Sequence, residues 1–281
     1  MRVLVTGAKG QLGSDVMKEL SARGLTGIGV DIEEMDITDA AQVLAVMKEA
    51  GPDAVIHCAA YTAVDKAEDE VDLCRAINAQ GTKHVAEACR QLSVPMMYIS
   101  TDYVFDGEGD EPWQPDDPNR DPVNVYGQTK LEGELEVEQL DKFFIVRISW
   151  VFGLRGRNFI TTMLRLGGTH DHLSVVADQI GSPTYTVDLA RLLVDMIQTD
   201  RYGRYHATNE GLCSWYEFAE EIFRQKGMSV DIKPVTSEEF PTRARRPHNS
   251  RMDKSKLIEN GFEPMPPWHD ALRRYLEELE D

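Results

Sequence analysis

Through the first 150 residues, short β-branched apolar runs alternate with longer stretches that carry apolar positions at helical spacing. The runs at 3–6, 27–31, 54–57, 96–100 and 143–148 predict strands. The intervening stretches predict helices over 13–22, 40–50, 71–91 and 126–139. Strands separated by helices of this length need crossover connections, hence a parallel sheet covered on both faces. The first and fourth runs lack polar–apolar alternation, as strands buried on both sides should. The fold class is therefore α/β with a doubly wound parallel sheet. After Trp150 the pattern loosens, and helices are expected over 158–167, 187–199, 214–227 and 268–280. Ser214 reads as an N-cap, with Glu217 completing a capping box. Pro and Arg concentrate in 240–250, which reads as a long functional loop. Residues 1–150 thus form the sheet domain, which parts of the later chain rejoin. Residues 151–281 form mainly a smaller lobe over the sheet's carboxyl edge.

Composition narrows the picture. Among 281 residues, 42% are hydrophobic and 28% charged, the range of an ordinary globular protein. The net charge of −18 repels phosphate and argues against a nucleic-acid or anionic-membrane partner. No apolar run approaches the roughly 20 residues that span a bilayer. The first residues enter a strand with no cleavable signal before them, so a cytoplasmic location is expected. Cys58, Cys74, Cys89 and Cys213 are too far apart for a disulfide framework or zinc site and read as reduced, structural thiols, Cys58 in the core. No metal is expected; His170 and His172 around Asp171 read as a polar loop. Local basic residues are more informative in so acidic a chain, and Arg243, Arg245, Arg246 and Arg251 cluster within nine residues.

Gly7-Ala8-Lys9-Gly10-Gln11-Leu12-Gly13 follows the first strand and opens the first helix. Glycines at this spacing permit a tight turn, close backbone approach to a pyrophosphate, and packing of helix on strand. The helix N-terminus adds unpaired N–H groups and a positive dipole end. The turn makes the sheet Rossmann-type. Asp31 ends the second strand, where a carboxylate suits adenosine ribose hydroxyls and favours NAD. Lys9 pulls the other way, as a partner for a 2′-phosphate, so the choice between NADH and NADPH stays open. Asp36-Ile37 is placed to contact the adenine, or Asp36 merely starts the next helix.

Tyr126-Gly127-Gln128-Thr129-Lys130 sets a phenol and an ammonium four residues apart, on one face of a helix. A nearby ammonium stabilises phenolate, so such a tyrosine can hand a proton to a carbonyl oxygen as hydride reaches carbon. Ser100-Thr101-Asp102 ends the fourth strand at the edge where open α/β sheets bind ligands. There the Thr101 hydroxyl can bond a substrate oxygen beside Tyr126.

These three motifs resemble the extended short-chain dehydrogenase/reductases. The match is closer to one branch, the dTDP-4-dehydrorhamnose reductases. The residues carrying it are 58–68, 100–107, 124–130, 147–151, 178–184 and 246–251. The resemblance implies Thr101, Tyr126 and Lys130 as the catalytic set. It implies cofactor contacts at Gly10, Gln11, Leu12, Asp31, Asp36, Ile37, Ala60, Tyr61 and Thr62, beside Gly7, Gly13, Tyr126 and Lys130. Thr101, Asp102 and Trp150 become substrate contacts, Trp150 having the alternative of a core aromatic. The implied reaction is NADPH- or NADH-dependent reduction of the C4 ketone of a dTDP-linked deoxysugar. Arg246 is the first candidate for a bidentate grip on the sugar nucleotide's diphosphate; a salt-bridged surface arginine is the alternative.

Relatives described as pairing through magnesium hold it with glutamates, and here the matching positions carry Asp15 and Asp188. No such metal-bridged dimer is expected; a monomer or homodimer is. A related nucleotide-sugar reductase or epimerase stays open, as does a non-catalytic dinucleotide-binding subunit like the regulatory subunit of methionine adenosyltransferase.

Overall fold

A computed structural model describes residues 1–280. The chain opens with β1 (Arg2–Thr6), α1 (Gln11–Ala22), β2 (Thr26–Val30), α2 (Ala40–Ala50) and β3 (Ala54–His57). Two short helices follow, α3 (Val64–Ala67) and α4 (Val71–Arg75), and a π-helical segment, Ala76–Gly81, leads into α5 (Thr82–Leu92). Then come β4 (Met96–Thr101), α6 (Val125–Val137) and β5 (Phe143–Ile148). The later chain holds β6 (Val151–Phe152), α7 (Phe159–Gly167), β7 (His172–Val176), β8 (Ile180–Gly181), β9 (Thr184–Tyr185) and α8 (Thr186–Ile197). It ends with β10 (Gly203–His206), β11 (Cys213–Ser214), α9 (Trp215–Lys226), β12 (Asp231–Val235), α10 (Ser255–Glu259) and α11 (Trp268–Glu280).

Six parallel strands form the central sheet in the order β10-β5-β4-β3-β1-β2. The order reverses between β1 and β3, so a crevice opens at their carboxyl ends. Side chains alternate between faces as the pleat requires. Val3 and Val5 of β1, Ile56 of β3 and Phe144 of β5 pack with α1 and α8. Leu4, Val55 and Ile145 point the other way, to α2 and α5. Residues 3–6 of β1 and every residue of β4 are buried, which is why the first and fourth runs show no alternation. A separate aromatic cluster, including Phe152, Phe218, Trp268 and Tyr275, ties α7, α9 and α11 together.

Two features depart from the pattern reading, and a third refines it. The helix expected over 71–91 is interrupted by the π segment, whose extra residue turns Asn78 toward the chain after β3. There Asn78 accepts from the Tyr61 N–H at 2.8 Å and donates to the Tyr61 carbonyl at 3.1 Å. Residues 240–250 run as an irregular loop, as read, but a packed one: Ala244, Asn249 and Ser250 are buried, and Asn249 bridges to Ile180. Cys58 is only half-buried and borders the crevice instead of sitting in the core.

Candidate active site

The crevice is a cleft of about 960 Å³ running from the Gly-rich turn past the end of β4 to Trp150. Its floor is built from short-range chemistry. Gly7 takes a φ of 63°, and a Cβ there would stand 2.9 Å from the Ala59 nitrogen. A Cβ on Gly13 would stand 2.2 Å from the Gly7 carbonyl oxygen, so helix and turn touch backbone to backbone. Gly10 is the N-cap of α1, and no side chain caps the first N–H groups. They are left for an anion. Beneath the turn, Thr6 meets His57 Nδ1 at 2.7 Å and accepts from the Ala59 N–H at 3.1 Å. Burial pushes His57 down to about 3, so this support is neutral. The turn fits a dinucleotide pyrophosphate.

Gly7, Gly10, Gln11, Leu12, Asp31, Asp36, Ile37, Ala60 and Thr62 all line this part of the cleft. Asp31 lies one residue past β2, where its Oδ2 accepts the Lys9 backbone N–H at 3.1 Å. Asp36 accepts from both the Thr38 N–H and the Thr38 hydroxyl, which hold its carboxyl below the usual range. The cap of α2 is Asp39, so Asp36 does not start that helix. Gln11 reaches across instead of along the cleft: its Oε1 accepts from the Gly153 N–H at 3.0 Å, pinning the loop after β6. Two residues fall outside the lining. Gly13 packs behind the turn, and the Tyr61 hydroxyl donates to Glu70 Oε2 at 2.5 Å.

At the end of β4 the sequence motifs converge. Thr101, Asp102 and Lys130 are buried along the same cleft wall, where Tyr126 is half-buried. The Thr101 hydroxyl donates to Asp102 Oδ1 at 2.9 Å, and the Ser250 hydroxyl donates to Asp102 Oδ2 at 2.5 Å. Burial raises the Asp102 carboxyl to about 6, against those two hydrogen bonds, which lower it. Lys130 donates to the Ile99 carbonyl at 2.7 Å, with its ammonium 4.0 Å from the Tyr98 ring centre. Burial lowers Lys130 to about 7, opposed by the charge of Glu134 one turn along α6.

Tyr126 departs from the expectation of a phenol acidified by lysine. Burial moves its pKa up and the Asp102 charge adds to that, while the Thr101 hydroxyl opposes it. The Lys130 ammonium is directed to a backbone carbonyl and an aromatic face, which is why it does not offset the burial.

Trp150 closes the far end. It is the second of the two residues between β5 and β6 and has a φ of 49°, a left-handed conformation that costs a tryptophan roughly 1–3 kcal/mol. What holds it is contact: the Trp215 ring stacks on it at 3.7 Å, and its carbonyl accepts the Thr184 N–H at 3.1 Å.

Comparison with known proteins places this geometry. The family model described as RmlD substrate binding domain matches residues 1–281. A dTDP-4-dehydrorhamnose reductase of Streptomyces griseus is 41% identical over 279 residues, covering 96% of this chain and 91% of its own. The chain belongs to the dTDP-4-dehydrorhamnose reductase family. A crystal structure of such a reductase from Clostridium acetobutylicum superimposes with a TM-score of 0.97 at 45% identity, covering all of both chains. One from Bacillus anthracis, solved in complex with NADP, gives 0.95 at 46% identity, covering 99% of each.

Within this member of the family, the four late arginines do not converge on the cleft. Arg246 gives both fork nitrogens to Asp65, at 2.9 and 2.8 Å, and is not among the lining residues. Arg243 pairs with Asp69 and Arg245 with Glu108. The surface-pair alternative is the one the geometry favours. Asp15 and Asp188 are also occupied: Thr186 donates to Asp15 at 2.6 Å, and Arg274 takes both oxygens of Asp188 at 2.8 and 2.7 Å. Among the described residues, no group of three or more His, Cys, Asp or Glu is arranged to hold a metal, and no helix is long and apolar enough to cross a membrane.

Ser250, Trp215 and Tyr103 were not singled out from sequence. Tyr103 lines the cleft with its ring edge-on to Tyr126 at 5.5 Å. For Ser250 the signal was present, since it sits in the 246–251 block, but the arginines drew the reading. Trp215 follows a helix cap and carried no signal.

Proposed function

We propose that the chain reduces the C4 ketone of dTDP-4-dehydro-L-rhamnose to dTDP-L-rhamnose with NADPH or NADH. The observation that carries this reading is the convergence of Tyr126, Thr101 and Lys130 on one cleft wall, in line with a turn shaped for pyrophosphate. Residues 1–150 supply the dinucleotide half. Residues 151–281 supply mainly the substrate lobe, apart from β10 and α8, which return to the sheet.

The Gly-rich turn and the first N–H groups of α1 hold the diphosphate, Asp31 the adenosine ribose, and Asp36, Ile37, Ala60 and Thr62 flank the adenosine and the chain beyond it. The bound reduced nicotinamide supplies the hydride. Tyr126 gives its proton to the developing alkoxide oxygen at C4, and a phenol kept protonated by burial is in the right form to do so. Asp102 accepts a hydrogen bond from the Thr101 hydroxyl, which holds that side chain beside Tyr126; when the substrate oxygen arrives between them, the hydroxyl turns its hydrogen from Asp102 to that oxygen. Lys130 orients the nicotinamide ribose, and its ammonium is steadied by the Ile99 carbonyl. Trp150, braced by Trp215, packs on the sugar. Arg246 is given no part in holding the diphosphate.

The test is direct. Incubation with NADPH or NADH and dTDP-4-dehydro-L-rhamnose should consume nicotinamide absorbance and yield dTDP-L-rhamnose on chromatography. A silent assay with a protein that still binds dinucleotide would overturn the enzyme in favour of a binding subunit.

A further inference from the structure

The adenosine end of the cleft contains a feature that the reductase reading does not use. Lys9 is the cation of the Gly-rich turn, and it is not free. Its ammonium is held by Glu33 and by Glu34, the latter at 3.1 Å. Glu34 is fixed in turn, because its other oxygen accepts the Asp31 backbone N–H at 2.9 Å. Those two contacts, the Asp31 N–H first and Lys9 second, keep the Glu34 carboxyl below its usual range. Asp31 itself is locked by two backbone donors, Lys9 N–H at 3.1 Å and Ile32 N–H at 3.0 Å. The side chain between them, Ile32, is 70% exposed, borders the cleft, and offers no donor. At positions 9, 31, 33, 34 and 36, one ammonium therefore stands among four carboxylates.

We infer that this lip discriminates against a 2′-phosphate and makes NADH the tighter-bound cofactor, with Glu33 and Glu34 as the specificity-determining residues. The inference rests on the reading of the cleft as a dinucleotide site. Ribose hydroxyls donate to a fixed carboxylate such as Asp31 at little cost. A 2′-phosphate brings up to two negative charges to the same place. The ammonium suited to meet it is already committed to two acids, and each remaining carboxylate repels it. All of these groups are solvated, so the penalty is modest and salt-dependent, on the order of tenfold in affinity at low ionic strength. Glu33 and Glu34 act by withdrawing Lys9, and removing their charge should return it to the ligand.

Titrating NADH and NADPH against the full-length protein, by nucleotide fluorescence without sugar substrate, gives a readout independent of turnover. The wild type should bind NADH about tenfold more tightly than NADPH in low salt, and the gap should shrink in high salt. The double variant Glu33→Gln/Glu34→Gln should tighten NADPH by a similar factor and leave NADH nearly unchanged. Adding Lys9→Ala should abolish that gain. Equal affinities in the wild type, tighter NADPH, or a gap unmoved by the double variant would each overturn the inference while leaving the dinucleotide cleft intact. Binding of neither nucleotide would overturn the cleft, and this inference with it.

Discussion

Burial moves the ionisable side chains of the cleft wall toward their neutral forms, and Asp102 shows the consequence most directly. Its carboxyl titrates at about 6, roughly two units above an aspartate in an unfolded chain. A raised carboxyl pKa contributes stability that is fully present below about 4 and is lost as pH rises through about 6. Asp102→Asn removes that loss. The variant should therefore gain roughly 2 kcal/mol on the wild type between pH 4 and pH 7.5, read from urea melts at the two values. Parallel stabilities at both would show that Asp102 is not the buried titrating group. At this scale, sequence reached what is close in the chain. The Tyr126–Lys130 pair and the strand-end Thr101 stood out because four residues or one turn separate their parts. The Ser250–Asp102 contact spans 148 residues and Arg246–Asp65 spans 181, so neither partner could be named from spacing.

Between elements, α6 carries both the chemistry and its anchor. Tyr126 and Lys130 face the cleft, and one turn on, Glu134 is fully buried against Arg147 of β5, with Nε and Nη2 each at 2.8 Å from a carboxylate oxygen. Burial alone would raise the Glu134 pKa, but the Arg147 charge and hydrogen bonds outweigh it and the carboxyl stays low. Glu134→Gln would strand the Arg147 charge in the interior. The expected loss is about 3–5 kcal/mol, measured by denaturant unfolding. A loss under about 1 kcal/mol would mean that the helix is seated by its apolar contacts alone. The elements read best from pattern were those of the central sheet, since long buried strands and amphipathic helices carry strong periodicity. The π segment at 76–81 left no trace because its cause, Asn78 turning to hold residue 61, is a tertiary contact. Paired strands as short as β6, β8, β9 and β11 have two residues each, too few for any period.

Across the whole molecule, the later chain does two jobs. β10 extends the sheet beside β5 and α8 covers α1, while α7, α9 and α11 form the lobe that positions Trp150 and Trp215. The segment around Ser250 stitches lobe to sheet by reaching Asp102. On the proposed reading, Tyr126 belongs to a preformed wall beside the dinucleotide cleft, and the substrate meets it from the side of the lobe. This division makes binding and chemistry separable, and Tyr126→Phe tests it most directly. With the phenolic oxygen gone, turnover of dTDP-4-dehydro-L-rhamnose should fall by at least about a hundredfold, while dinucleotide affinity changes by less than about threefold. A variant that turned over at the wild-type rate would contradict the assignment of the proton to Tyr126, and with it the account of the cleft.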